Sequence, residues 1–226
     1  MTSIGELNER SLHRALKERY AVDGSETEQV IDGFVTDVVA DGRIVEIQTG
    51  SFGPLRNKLT RLLDTHPVTL VHPIATNRYL VKMGDDPALP PTRRRSPKHG
   101  SVFDVFSALV SIPSLLAHPN LALEVVMTVE EEVRAPREGR GRWRRDWSRI
   151  DRRLVDVVET HTITSMADLF ALVDARLPET FTTNDVAAAM QSTRGLAQQA
   201  AYCFREGGVI EICGKDGKAL VYRRVT

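Results

Sequence analysis

Residues 37–48 read DVVADGRIVEIQ, and the rest of the chain is best read outward from them. Asp41-Gly42 is a two-residue turn signal between runs rich in β-branched residues, so the stretch is expected to fold as a β-hairpin. Counting outward from the turn pairs Ala40 with Arg43, Val39 with Ile44, Val38 with Val45 and Asp37 with Glu46. Directly opposed residues share a face of the strand pair, with Cβ atoms roughly 5 Å apart. Gln48 lies two positions past Glu46 and shares that face. Two carboxylates and an amide on one side of a hairpin are costly to bury without compensation. A hard divalent cation, which prefers oxygen ligands, would supply it.

The flanking sequence supplies the frame. Residues 3–21 form an amphipathic helix with Ile4, Leu7, Leu12, Ala15 and Leu16 on its apolar arc and Glu6, Glu9 and His13 along one edge. Residues 29–39 are rich in Val and Ile and lead into the hairpin as a strand. Asp32 stands at odd spacing from Asp37, so a regular strand turns it to the other face. After Gln48 comes Thr49-Gly50-Ser51-Phe52-Gly53, then Pro54 at a first helical position. Leu55, Leu59, Leu62 and Leu63 make the buried stripe of that helix, flanked by Arg56 and Lys58. Residues 68–74 (VTLVHPI) are apolar enough for a central strand covered on both faces, and residues 78–83 form a further strand. His72, inside the apolar run, reads as a satisfied core histidine.

An Asp, a short hairpin, Glu-x-Gln and a following helix together resemble the metal site of the PD-(D/E)XK nuclease superfamily. That family's pattern is Asp…(Asp/Glu)-x-Lys on a core of helix, three strands, helix and strand, and here the context runs from about residue 3 to residue 83. The resemblance implies an α/β fold with a restriction-endonuclease-like core: helix, β-meander, helix, strand. It implies Asp37 and Glu46 as ligands of Mg²⁺ or Mn²⁺, with an acid from the first helix, Glu9 before Glu6, as a third. Asp37 is preferred to Asp32 as the first acid. Gln48 occupies the position of the family's lysine and cannot donate positive charge. Lys58, or else Arg56, is expected to supply that charge from the following helix. The catalytic set implied is therefore Glu9, Asp37, Glu46, Gln48 and Lys58.

The remainder divides into a basic middle and a separate C-terminal unit. Residues 85–100 are Pro-rich and end in Arg93-Arg94-Arg95-Ser96-Pro97-Lys98-His99, a loop with a local basic patch. Residues 102–116 form an apolar-periodic helix with a break at Pro113, and residues 121–133 a strand. Residues 134–153 carry Arg at nine positions, with Trp143 and Trp147 between them. Arg interleaved with aromatics suits phosphate contact and stacking on bases, and Arg142, Arg144 and Arg145 are its centre. Residues 150–158 are expected to continue as a connecting helix. Residues 164–225 resemble a winged helix, in the order helix, helix, turn, helix, strand, wing, strand. Arg194 and Gln198 would begin its recognition helix, and Lys215 and Lys218 would lie on its wing. The expected division is 1–135 for the nuclease-like domain (core 1–84), 136–162 for the linker, and 163–226 for the winged helix.

The formal net charge is zero, so any nucleic-acid contact must use local patches. Cys203 and Cys213 suggest neither a metal knuckle nor a disulfide framework. No apolar run approaches membrane-spanning length. The expectation is a cytoplasmic, metal-dependent DNA nuclease with no membrane partner, acting in repair, recombination or defence, with room for a homodimer. The rival reading, drawn from Gln48, is a protein of this fold that binds or regulates at DNA without cutting it.

Overall fold

The computed structural model describes residues 11–84, 90–136 and 147–225. The architecture is mixed α/β, built on a large mixed sheet flanked by helices. Helix α1 (Ser11–Tyr20) precedes three antiparallel strands, β1 (Glu26–Ile31), β2 (Phe34–Ala40) and β3 (Arg43–Ile47). Helix α2 (Arg56–Leu63) then crosses over so that β4 (Val68–Lys82) can pair parallel to β3, the connection that parallel pairing needs. Short β5 (Thr92–Arg95) pairs with the end of β4. Helix α3 (Phe106–Leu109) is a single turn bracketed by 3-10 turns. Strand β6 (Leu121–Pro136) runs parallel to β4, and β7 (Trp147–Ile163) returns antiparallel along β6. The strand order is β1-β2-β3-β4-β6-β7.

Both faces of the sheet are covered, which is why its inner strands are apolar without a clean alternation. Leu12 and Leu16 of α1 cover one face, against Val38, Val45, Ile47, Val71 and Val126. The other face holds Ile44, Leu70, Leu123 and Val125 beneath Leu59, Leu62 and Phe106.

Beyond β7 come α4 (Met166–Asp174), β8 (Thr180–Thr182), α5 (Thr183–Met190), α6 (Arg194–Glu206), β9 (Ile210–Asp216) and β10 (Ala219–Arg224), with strand order β8-β10-β9. Helix starts are well specified. Ser165 with Asp168 and Thr182 with Asp185 form reciprocal capping boxes, and the Thr193 hydroxyl accepts from Leu196 N–H. This unit does not stand apart. Phe204 of α6 is fully buried and meets the Phe106 ring edge-on at 5.1 Å, and one apolar cluster runs through both halves.

Several expectations are corrected. Residues 29–39 are not one strand: Asp32 and Gly33 both take positive φ (50° and 81°) and close a second hairpin between β1 and β2. The two strands expected over residues 68–74 and 78–83 are one long strand, Val68–Lys82, with a register shift at Ala75/Asn77. The helix expected over residues 102–116 is mostly 3-10 turns around the single turn of α3. The connecting helix expected over residues 150–158 is the middle of β7. Its β-branched run Val155, Val157, Val158 and Thr160 favours extended backbone, and the open edge of β6 offers the partner. Arg93–Arg95, expected as loop, pair with β4 as β5.

Because the core is continuous, Phe204→Ala is expected to lower stability by ~3–5 kcal/mol. The loss should shift one cooperative urea transition, seen alike by tryptophan fluorescence and far-UV circular dichroism. Two separated transitions would show that the halves fold independently.

Candidate active site

Three of the pairs counted from the turn form, Ala40 with Arg43, Val39 with Ile44 and Val38 with Val45, whereas the expected fourth, Asp37 with Glu46, is not a ladder pair. The ladder stops there. Past Val38, β2 leaves β3, and the Ile47 N–H would lose its strand partner. The Asp37 carboxylate takes that place, with Oδ2 accepting from Ile47 N–H at 2.8 Å. Asp37 is thus held at the point where the strands part. Asp32, the other acid considered, lies in the β1–β2 turn and faces His66 at 3.3 Å instead.

Glu46 is 3% exposed. Its partner comes from α2: Lys58 Nζ lies 2.6 Å from Glu46 Oε1 and also donates to the Val35 carbonyl of β2. Lys58 therefore spans the gap between the diverging strands. From the opposite side, His13 Nε2 of α1 approaches Asp37 Oδ2 at 3.3 Å. Four elements meet here: α1, β2, β3 and α2.

The environment splits the two acids. Burial alone would raise the Asp37 pKa, but the His13 contact, the Ile47 N–H and Lys58 outweigh it and hold it below the usual Asp value. For Glu46 burial dominates: Lys58 offsets it only in part, the Asp37 charge adds to it, and its pKa lies above the usual Glu value. The pair is thus split, with Asp37 the stronger acid and Glu46 the weaker.

Gln48 turns elsewhere. Its Nε2 donates to the Ser51 carbonyl at 2.8 Å, closing the loop that leads to α2, while its own carbonyl is bound to His72 Nδ1 at 2.6 Å. Arg56 donates to the Ser111 carbonyl, away from the acids. Glu6 and Glu9, considered as third ligands, lie outside the described residues. Among the described residues, no group of three His, Cys, Asp or Glu side chains is placed to hold a metal ion. Asp37 and Glu46 offer two carboxylates, a hard donor set suited to Mg²⁺ or Mn²⁺. Asp37 Oδ2 is engaged by Ile47 N–H and His13 Nε2, and Glu46 Oε1 by Lys58.

The expected nucleic-acid contacts separate into two groups. Arg142, Arg144 and Arg145 lie outside the described residues. Arg194 and Gln198 are exposed on α6 and share a cleft of about 330 Å³ with Asn184, Tyr202, Arg205 and Lys218. Lys215 is exposed on β9 but does not line that cleft. Arg93 is committed to Glu131 at 2.7 Å and stacks over Tyr79.

Sequence reasoning passed over a buried charge cluster behind the site. Glu130 is fully buried and takes a two-pronged contact from Arg152, Nε to Oε2 at 2.9 Å and Nη2 to Oε1 at 2.8 Å, with the Thr128 hydroxyl on Oε1. Arg152 Nη1 reaches the Thr49 carbonyl at 3.5 Å, just past the Glu46-x-Gln48 strand. The signal was present only as one Arg among nine and one Glu among three.

Residues 10–164 match the family described as "Domain of unknown function (DUF8091)", and the chain belongs to that family. An "Uncharacterized protein" from Treponema pallidum (strain Nichols) is 32% identical over 225 residues, covering 98% of this chain and 88% of the relative. No solved structure matches the chain. No helix among the described residues is long and apolar enough to cross a membrane.

Lys58→Met leaves Glu46 buried without its cation and is expected to cost ~3–5 kcal/mol at neutral pH, with much of the loss recovered by adding Glu46→Gln. The sign of the pH dependence follows from the raised Glu46 pKa: the folded state holds that proton more tightly, so stability from this group falls as pH rises through the folded pKa, above the ordinary Glu range. Glu46→Gln should remove that downward slope. Denaturant titrations across pH check both, and an unchanged slope would mean that Glu46 titrates as it does in the unfolded chain.

Proposed function

We propose that this protein is a metal-dependent DNA nuclease, hydrolysing phosphodiester bonds at Asp37 and Glu46. The single observation that carries the reading is the convergence of Asp37, Glu46 and Lys58 where β2 parts from β3, with the lysine delivered by the next helix. The order α1, β1-β2-β3, α2, β4 agrees with the helix, meander, helix, strand core of PD-(D/E)XK enzymes. The order α4, α5, α6, β9, β10 agrees with a winged helix, and Arg194, Gln198 and Lys218 on one cleft suit contact with DNA.

In this reading Asp37 and Glu46 would hold Mg²⁺ or Mn²⁺. The bound ion would lower the pKa of a water and stabilise charge developing on the phosphate. With the charge of Glu46 taken over by an ion, Lys58 would be available to neutralise phosphate oxygens. His13 orients Asp37. Gln48 shapes the loop before α2.

The non-catalytic reading has its own support: Glu46 is already neutralised by Lys58, and the Gln48 amide is spent on Ser51. Cleavage assays with Mg²⁺ and Mn²⁺ on linear, branched and single-stranded DNA separate the two. The nuclease reading expects cleavage that falls at least ~100-fold in Asp37→Asn, Glu46→Gln and Lys58→Ala, while DNA affinity holds or rises in the acid variants as repulsion with phosphate is removed. DNA binding without cleavage by the native protein in either metal would favour the non-catalytic reading.

A further inference from the structure

A second site lies on the same sheet face as Glu46, one step along. In the β3–β4 register Glu46 stands beside Leu70, and the next residue of β4 on that face is His72. From His72 a cleft of about 530 Å³ extends past Arg78, Lys98, His99 and Arg152 to Thr193 at the start of α6. It continues into a wider trough of about 850 Å³ between the sheet and the C-terminal unit, and the two share His99, Gly100, Asp104 and Thr193.

The cleft is built, not incidental. The chain after β5 is strapped across the irregular middle of β4. Ser96 N–H donates to the Arg78 carbonyl at 2.7 Å, His99 Nδ1 to the Thr76 carbonyl at 2.9 Å and Gly100 N–H to the Ala75 carbonyl at 2.9 Å. Gly100 lies so close to β4 that a Cβ there would come within 2.7 Å of both the Ala75 carbonyl oxygen and Ile74 Cγ2. The strap fixes the backbone at Lys98 and His99 and leaves their side chains exposed. Because a carbonyl only accepts, His99 Nδ1 carries the hydrogen and Nε2 is left for a ligand.

The donors lining this cleft exceed the acceptors that serve them. Arg152 spends Nε and Nη2 on Glu130, but its Nη1 has only a long 3.5 Å contact. Arg78 lies 3.4 Å from Glu132 and 3.9 Å from Glu130, and its shielded Nε has no hydrogen-bond partner among the described residues. Lys98 makes no ion pair among the described residues. Opposing them, Asp104 lines the cleft with Oδ2 engaged by Ser101 N–H, and Glu132 is also held by Arg134. Under-satisfied guanidinium donors beside a free ammonium fit a ligand with several anionic oxygens.

We infer that this cleft binds phosphate groups of a DNA strand, carrying the backbone from the acidic pair toward the start of α6. The choice of DNA rests on the nuclease reading; the phosphate chemistry does not. The binding test is run in EDTA, so that it does not depend on metal or cleavage. The probes are a fluorescein-labelled duplex and inorganic phosphate, with native protein, Lys98→Ala/His99→Ala and Lys98→Glu. Both variants change exposed side chains, and thermal melts check that they fold. The expected result is about tenfold weaker duplex binding for the double variant and a larger drop for Lys98→Glu. The salt slope should be smaller by roughly one for each phosphate that is no longer neutralised. In the native protein, the amide resonances of residues 98–100 should shift with the duplex. Duplex affinity and salt slope unchanged in both variants would overturn the inference. So would shifts of those resonances with inorganic phosphate but not with duplex, which would make the cleft a small-phosphate site. The nuclease reading is judged separately: Asp37→Asn that binds duplex like the native protein but does not cut it speaks to the acids, not to the cleft.

Discussion

The parting of β2 from β3 is the constraint on which the site depends. A strand that leaves its partner exposes backbone groups that must be satisfied elsewhere. Here the Asp37 carboxylate answers the Ile47 N–H and Lys58 answers the Val35 carbonyl. The side chains that repair the broken ladder are the charged groups of the candidate site. Lys58 also joins Glu46, so the same ammonium that holds the gap neutralises a buried acid. Structure and chemistry are coupled: any ligand that draws Lys58 away must itself neutralise Glu46.

A second layer of charge holds this one in place. The Glu130–Arg152 pair is buried, and a buried pair is a weak source of net stability because desolvation offsets its attraction. Its geometric effect is clearer. Arg152 of β7 reaches the Thr49 carbonyl and His72 of β4 takes the Gln48 carbonyl, so the chain leaving Glu46 is pinned by two side chains from other strands of the sheet. The loop that starts α2, and with it the position of Lys58, is set by residues remote in sequence.

The C-terminal unit bears on this arrangement through α6. Its apolar side, with Ala197, Ala200 and Phe204, is buried, and Phe204 meets Phe106 beyond the sheet. Thr193, Leu196 and Gln199 border the trough toward the first half, whereas Arg194 and Gln198 line the opposite cleft with Lys218. Helix α6 is therefore divided along its length, with one flank turned to its own chain and another to solvent.

The hairpin around Asp41-Gly42 was legible from residues alone, because a turn that needs two positive φ values and the β-branched runs beside it are local matters. So were α2, with its leucine stripe, and the three helices of the C-terminal unit. The Asp32-Gly33 turn carried the same signal and was missed inside a Val-rich run. What the sequence could not determine depends on partners far along the chain. Whether residues 150–158 are helix or strand is decided by the open edge of β6, since the same β-branched and charged residues fit a helical period until a strand is offered to them. Whether Gln48 faces the acids or the loop, and whether Arg152 is one charge in a run or the buried partner of Glu130, is decided by which side chains converge across the sheet. Local propensity reaches a few residues, while burial and charge pairing are properties of the assembled core.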